Sequence, residues 1–177
     1  MSEQVPLGIV DASVPSGSHI CTFFSGPPQR DDVVAPFLAE GIRSGHKCVC
    51  VLEAPEPLNL LTRLGGRVDL DRSVGTGQLE LAAPADGYLR SGQFSTEDML
   101  DYWREIASAT QTAARFSLIT AVGEMPSVLD HPDDDLERFG AEVLMDTLRT
   151  HPRVIVDGMI HDSPYYVEPD KFVAARA

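Results

Sequence analysis

Residues 19–53 read HICTFFSGPPQRDDVVAPFLAEGIRSGHKCVCVLE, and this stretch decides the fold class. Residues 19–24 are an apolar run with β-branched and aromatic side chains, the composition of a buried strand. A turn follows at Gly26, Pro27 and Pro28. Val33, Val34, Phe37, Leu38, Gly41 and Ile42 then recur at helical spacing until Gly45, and residues 47–52 form a second apolar run. Strand, helix and strand within about 35 residues is the size of a βαβ unit, which implies a parallel sheet covered by helices.

The joint between the first strand and the helix is where such folds bind ligands, because strand ends and helix-start amides converge there. A phosphate-binding loop would need a glycine-rich turn closed by Gly-Lys-Ser/Thr. Here the turn is Ser25, Gly26, Pro27, Pro28, Gln29, Arg30, Asp31 and Asp32. It has no lysine, it places two acids where phosphate charge would sit, and its prolines remove two amide donors. Nucleotide hydrolysis is not expected of it.

The chain has 177 residues, 43% of them apolar, enough for one globular domain with a sizeable core. A formal charge of -13 and a pI near 4.6 argue against a surface for the nucleic-acid backbone, which needs clustered Lys and Arg. No stretch reaches the roughly 18 apolar residues of a membrane span. The first 18 residues, rich in Pro and Gly, read as a flexible arm without the basic start and apolar core of a signal peptide. Three cysteines, two of them in a CVC strand, suit buried thiols in a reducing cytoplasm. The expected organisation is an arm over residues 1–18 and one domain over 19–177.

Downstream, Pro57 can open a helix whose leucines 58, 60, 61 and 64 form one face, and Gly65–Gly66 ends it. Residues 68–76 read as a short polar connection, and QLELA at 78–82 alternates as a third strand. Ser95 with Asp98 resembles a capping box opening a helix over 96–114, with Met99, Leu100, Trp103, Ile106, Ala107 and Thr110 as its buried stripe. FSLITAV at 116–122 is a fourth strand running into Gly123, Glu124, Met125 and Pro126. Leu136, Phe139, Val143, Leu144 and Leu148 mark another helix, RVIVD at 153–157 a last strand, and the remaining tail is turn-rich.

Several stretches together resemble the MEDS family, a sensory domain named after methanogen and methylotroph proteins that include a dichloromethane-dehalogenase regulator. They are HICTFF at 19–24, PFLAEGIRSGHKCVCV at 36–51, GQLEL at 77–81, YLRSGQF at 88–94 and GEM at 123–125. TLRTHPRVIVDGMI at 147–160 and PYYVEP at 164–169 continue the series. The resemblance implies a RecA/KaiC-like three-layer αβα fold with a mostly parallel sheet and a degenerate phosphate-binding loop. It also implies a sensor of small, often hydrocarbon-like compounds, working in the cytoplasm with a sensor kinase, an anti-sigma factor or a transcription regulator. The family usually follows GEM with a tryptophan-bearing stretch, a helix and a strand resembling CQYD. Here Pro126, Ser127 and Val128 lead almost directly into the segment before LRTHP, so the fold is shortened by a helix and a central strand. Neighbours of a lost central strand must re-pair or be covered by a second chain, because their amides and carbonyls need partners. A homodimer follows as one expectation.

Glu124 is the leading candidate for a polar anchor in a mostly apolar pocket, against the plainer reading of a surface acid or helix cap. Phe24, Tyr88 and Phe94 are candidate pocket walls, and Ser25, Arg30 and Glu53 candidate polar contacts. Arg30 and Asp31, placed where the loop meets the helix, are also candidates for a partner surface, and exposed amides there could accept a carboxylate. His19, Cys21, Cys48 and Cys50 could hold zinc only if two strand faces met, and their spacing is not that of a structural zinc site. A Cys21–His151 or Cys21–His161 pair lacks any motif for an orienting group, and His151 reads more simply as a helix C-terminal cap. No cofactor is expected.

Two functional readings follow. One is a non-catalytic sensory domain that binds a small apolar compound and signals through a protein partner, with no direct contact to nucleic acid or membrane. The other is a ligand-free interaction or dimerisation module in a sigma-factor or sensor-kinase circuit.

Overall fold

The computed structural model describes residues 3–9, 11–52, 57–87, 89–90, 96–124, 148–149, 151–156, 158–168 and 171. The chain divides into two compact units, one of Met1–Arg30 with Ser127–Ala177 and one of Asp31–Pro126.

In the first unit, β1 (Gln4–Pro6) and β2 (Ser13–Pro15) pair as an antiparallel hairpin within the stretch read as a flexible arm. Leu7, Ile9 and Val14 are buried, so apolar contact and a ladder hold this segment. Its turn uses Gly8 at φ 68° and Asp11 at φ 48°, the left-handed region that glycine and aspartate tolerate best. Next, β3 (Ile20–Phe23) pairs in parallel with β7 (Arg153–Val156), which pairs antiparallel with β8 (Met159–Asp162). The β7–β8 connection carries Gly158 at φ 76°, as tight hairpin turns require. The last strand read from the sequence is therefore followed by one more, paired back on it.

The second unit is built on β4 (Lys47–Val51), flanked in parallel by β5 (Leu79–Ala82) and β6 (Ile119–Gly123). β3 and β4, the two strands of the opening βαβ stretch, are not hydrogen-bonded to each other among the described residues. Alternation sends Cys48 and Cys50 to one face of β4 and Val49 and Val51 to the other. The cysteine face packs with Val34, Ala35, Leu38 and Ala39 of α1 (Pro27–Arg43) and Leu60 and Leu64 of α2 (Pro57–Gly65). The valine face packs with Tyr102, Met99, Trp103 and Ile106 of α4 (Thr96–Ala113). Helices thus cover both faces of a parallel sheet, and β4 is correspondingly apolar without interruption.

Two helices depart from the sequence reading. The stretch 68–76, read as a polar connection, contains α3 (Leu70–Gly75), whose N-cap Asp69 accepts a hydrogen bond from the Arg72 amide at 3.0 Å. On α4, Leu100 is 43% exposed, whereas Tyr102 is buried with 5% exposure and takes the core position. The helix expected around residues 136–148 lies outside the described residues apart from Leu148. No described helix is long and apolar enough to cross a membrane.

Candidate functional site

α1 begins at Pro27, so Pro27 to Asp32 form its first turns and not a loop. A helix start attracts anions through amides that have no intrahelical partner, and Pro27 and Pro28 contribute none. The preceding amide, that of Ser25, donates to Gln29 Oε1 at 2.6 Å, and the Ser25 hydroxyl donates to the same oxygen at 3.1 Å. The carboxamide of Gln29 thereby closes back over the helix entry, much as the N3 side chain does in a capping box. A carboxylate-bearing ligand at this position would compete with it.

Arg30 and Asp31 lie inside α1 and are only 3% and 2% exposed. Burial excludes both from a partner surface, correcting their placement at a loop–helix joint. Asp32 is exposed and forms an ion pair with Arg63 of α2. Phe24 is half-buried after β3, and Ser25 is exposed. Glu53, Tyr88 and Phe94 lie outside the described residues.

The sulfur and imidazole candidates resolve into separate structural roles. Among the described residues, no group of three or more His, Cys, Asp or Glu is placed to hold a metal ion. Cys48 is buried, with Sγ 3.7 Å from the Leu38 carbonyl and 3.9 Å from the His46 carbonyl, and burial pushes its thiol up to about 12. Cys50 is buried in the same core. Burial likewise raises the half-buried Cys21 thiol to about 11, so neither thiol is an activated nucleophile. His19 Nε2 lies 3.1 Å from His151 Nε2, with ring centroids 4.0 Å apart. Burial first, and then the His151 charge, lowers the His19 pKa. His151 is therefore one half of an imidazole pair.

The remaining candidate, Glu124, directly follows β6. Its amide donates to the Val51 carbonyl at 2.9 Å, and the Leu52 amide donates to Ala82 at 3.1 Å, so both ladders continue past the strand ends. This places Glu124 at the carboxyl end of the parallel sheet. Aromatic surface lies beside it: a Cβ at Gly123 would be 3.6 Å from Trp103 Cζ2, and the Trp103 and Tyr102 rings meet edge to face at 5.1 Å. Tyr102 in turn abuts Gly87, where a Cβ would be 3.3 Å from Tyr102 Cζ. The Arg90 guanidinium sits over its ring at 5.4 Å. Tyr102 was absent from the stripe read on this helix, although Met99, Tyr102, Ile106 and Thr110 follow helical spacing equally well.

The family model of the methanogen/methylotroph, DcmR sensory domain matches residues 18–135, about two thirds of the chain. The chain belongs to the MEDS family. This is a family of sensory domains, and the match includes α1, the sheet of the second unit and Glu124. Of the stretches that carried the resemblance, those at 147–160 and 164–169 lie beyond the matched residues, so β7 and β8 are outside it. No curated protein and no solved structure matches this MEDS chain.

Proposed function

We propose that this MEDS chain is a non-catalytic sensor whose residues 19–177 work as one domain. It takes up a small apolar or hydrocarbon-like compound and passes the signal to a cytoplasmic regulatory protein, such as a sensor kinase, an anti-sigma factor or a transcription regulator. The observation that carries this reading is the carboxyl end of the second unit's sheet, where Val51, Tyr102 and Trp103 adjoin the segment entering Glu124. Apolar contact supplies affinity there, and the acid supplies orientation. Glu53, Tyr88 and Phe94 complete the proposed set. The proposed degenerate phosphate loop is supported by Pro27 and Pro28 and by the Gln29 contact with Ser25. A RecA/KaiC-like plan is supported by the parallel sheet of the second unit, which carries helices on both faces.

Native mass spectrometry of the purified protein, beside its denatured mass, tests the sensor reading. An added small mass that is released on denaturation and depleted in Glu124→Gln supports it. A clean mass, with no thermal shift from halocarbons, alcohols or ketones of one to six carbons, overturns it.

A specific observation also favours an interaction role. Val156 and Met159 face each other across the β7–β8 hairpin and are both exposed, Met159 by 58%, with Tyr165 and Tyr166 exposed just after. An exposed apolar pair at the turn end of a hairpin suits a protein contact. A partner or a second copy of the chain would seat here, and light scattering of Met159→Asp against wild type tests the homodimer. A mass that does not change from dimer to monomer removes the hairpin from any self-association.

A further inference from the structure

Tyr102 carries a hydroxyl that its packing does not need. The side chain is 95% buried against Val49 and Val51, and its Oη has no hydrogen-bond partner among the described residues. Phenylalanine would fill the same space, whereas burying an unpaired hydroxyl is destabilising. Such groups are rare enough in folded proteins that each calls for a cause. The nearby cation does not supply one. Arg90 lies over the ring face, and its guanidinium is already engaged by the Asp86 carbonyl and the Glu105 carboxylate, both at 3.1 Å. The hydroxyl end of the ring instead meets Gly87, a position where even one added carbon would be tight. Gly87 closes the Pro84–Asp86 turn, held by its amide bonds to Ala83 at 3.2 Å and Pro84 at 3.1 Å. A polar donor therefore sits under a small turn, on the same apolar face as Trp103.

We propose that the Tyr102 hydroxyl is the group that recognises the sensed compound, donating a hydrogen bond to one acceptor oxygen on an otherwise apolar molecule. The ligand class is thus a small alcohol, aldehyde or ketone and not a pure hydrocarbon. This rests on the sensory reading of the same sheet end. A pocket walled only by apolar groups would bind an oxygenated compound and its hydrocarbon analogue according to water-to-apolar transfer, which favours the hydrocarbon. A buried donor reverses that preference, because it gains its missing bond only from the oxygenated molecule.

The test uses two probes of one shape, cyclohexanone and methylenecyclohexane, titrated by NMR into wild type and Tyr102→Phe, with thermal unfolding of both proteins. The expected result is a roughly five- to tenfold preference of wild type for the ketone, abolished in the variant. The variant should also melt at the same temperature as wild type or above it. An unchanged ketone preference in Tyr102→Phe overturns the proposal and leaves the sensory reading standing. A variant that melts several degrees lower shows a protein partner for the hydroxyl and also overturns it. Binding of neither probe to either protein overturns the proposal together with the pocket on which it rests.

Discussion

A Cβ built on Gly41 of α1 would lie 2.6 Å from Oγ1 of Thr120 on β6 and 2.9 Å from Cys48 Sγ on β4. The helix is seated so closely on the sheet that only a hydrogen atom fits at this position. The contact also protects polar atoms, since Thr120 Oγ1 lies 2.9 Å from Nδ1 of the buried His46. Replacing Gly41 with Ala gains about 0.5–1 kcal/mol of helix preference but forces overpacking that costs about 1–3 kcal/mol. Gly41→Ala is therefore expected to lower the urea midpoint. Gly75→Ala, in open space at the end of α3, should leave it unchanged or raise it slightly. Equal midpoints for the two variants would show that α1 is not so closely seated.

The His19–His151 pair predicts acid sensitivity. At 3.1 Å the two Nε2 atoms can share one proton but cannot each carry one. The folded-state pKa of His19 is lowered from 6.5, by burial and then by His151. The unfolded chain consequently binds the proton more readily. Stability is full above pH 6.5 and falls as the pH drops through 6.5 toward the folded-state value. Removing the neighbour in His151→Ala should flatten this dependence without abolishing it, because burial is the larger cause. Urea midpoints between pH 5 and 8 check it, and a midpoint that rises on acidification contradicts it.

Much of the second unit was legible because its signals are local and redundant. The CVC run, the leucines of α2 and the closing glycines each specify an element independently, and β4 and α2 fall within a residue or so of their reading. What escaped depends on pairing or on single side chains. Nothing in residues 1–18 announces a hairpin except Gly8 and an aspartate that accepts positive φ, and β8 was hidden although Asp157-Gly158 is a strong hairpin dipeptide. Gln29 was read as part of a turn because prolines at 27 and 28 look like an interruption, yet proline also starts helices. Tyr102 was passed over for Leu100 because hydropathy ranks leucine higher, while the face each residue meets is set by tertiary contact. The position of Glu124 just after β6 was legible because a glycine and an acid at the end of an apolar strand mark a strand's carboxyl end in sequence as well as in space.

The cysteines are expected to be slow to react. With thiols at about 11 for Cys21 and about 12 for Cys48, the thiolate fraction near neutral pH is on the order of one in ten thousand or less. Iodoacetamide at pH 7.5 should label Cys21 slowly and Cys48 and Cys50 only in urea, following their burial. Mass mapping of labelled peptides resolves the three sites. Rapid labelling of any one in the folded protein would contradict its burial and raised thiol.

The contact between Ser25 and Gln29 makes the helix entry itself testable. Gln29 Oε1 accepts from both the amide and the hydroxyl of Ser25, so Gln29→Ala deletes the acceptor for two donors and should cost about 0.5–2 kcal/mol, the range for losing a cap. Gln29→Glu keeps the acceptor and adds a negative charge in the first turn, where the helix dipole favours it by about 0.3–1 kcal/mol. That gain should disappear as the pH falls through the carboxylate range near 4, where the new acid is protonated. Urea unfolding at pH 7 should then rank the proteins Glu, Gln, Ala in decreasing stability. An alanine variant as stable as wild type would mean that the carboxamide does not close the helix, leaving the entry available to an anion. Measuring inorganic phosphate binding to that same variant separates the two meanings of this sequence, a helix start sealed from within and one that awaits a ligand.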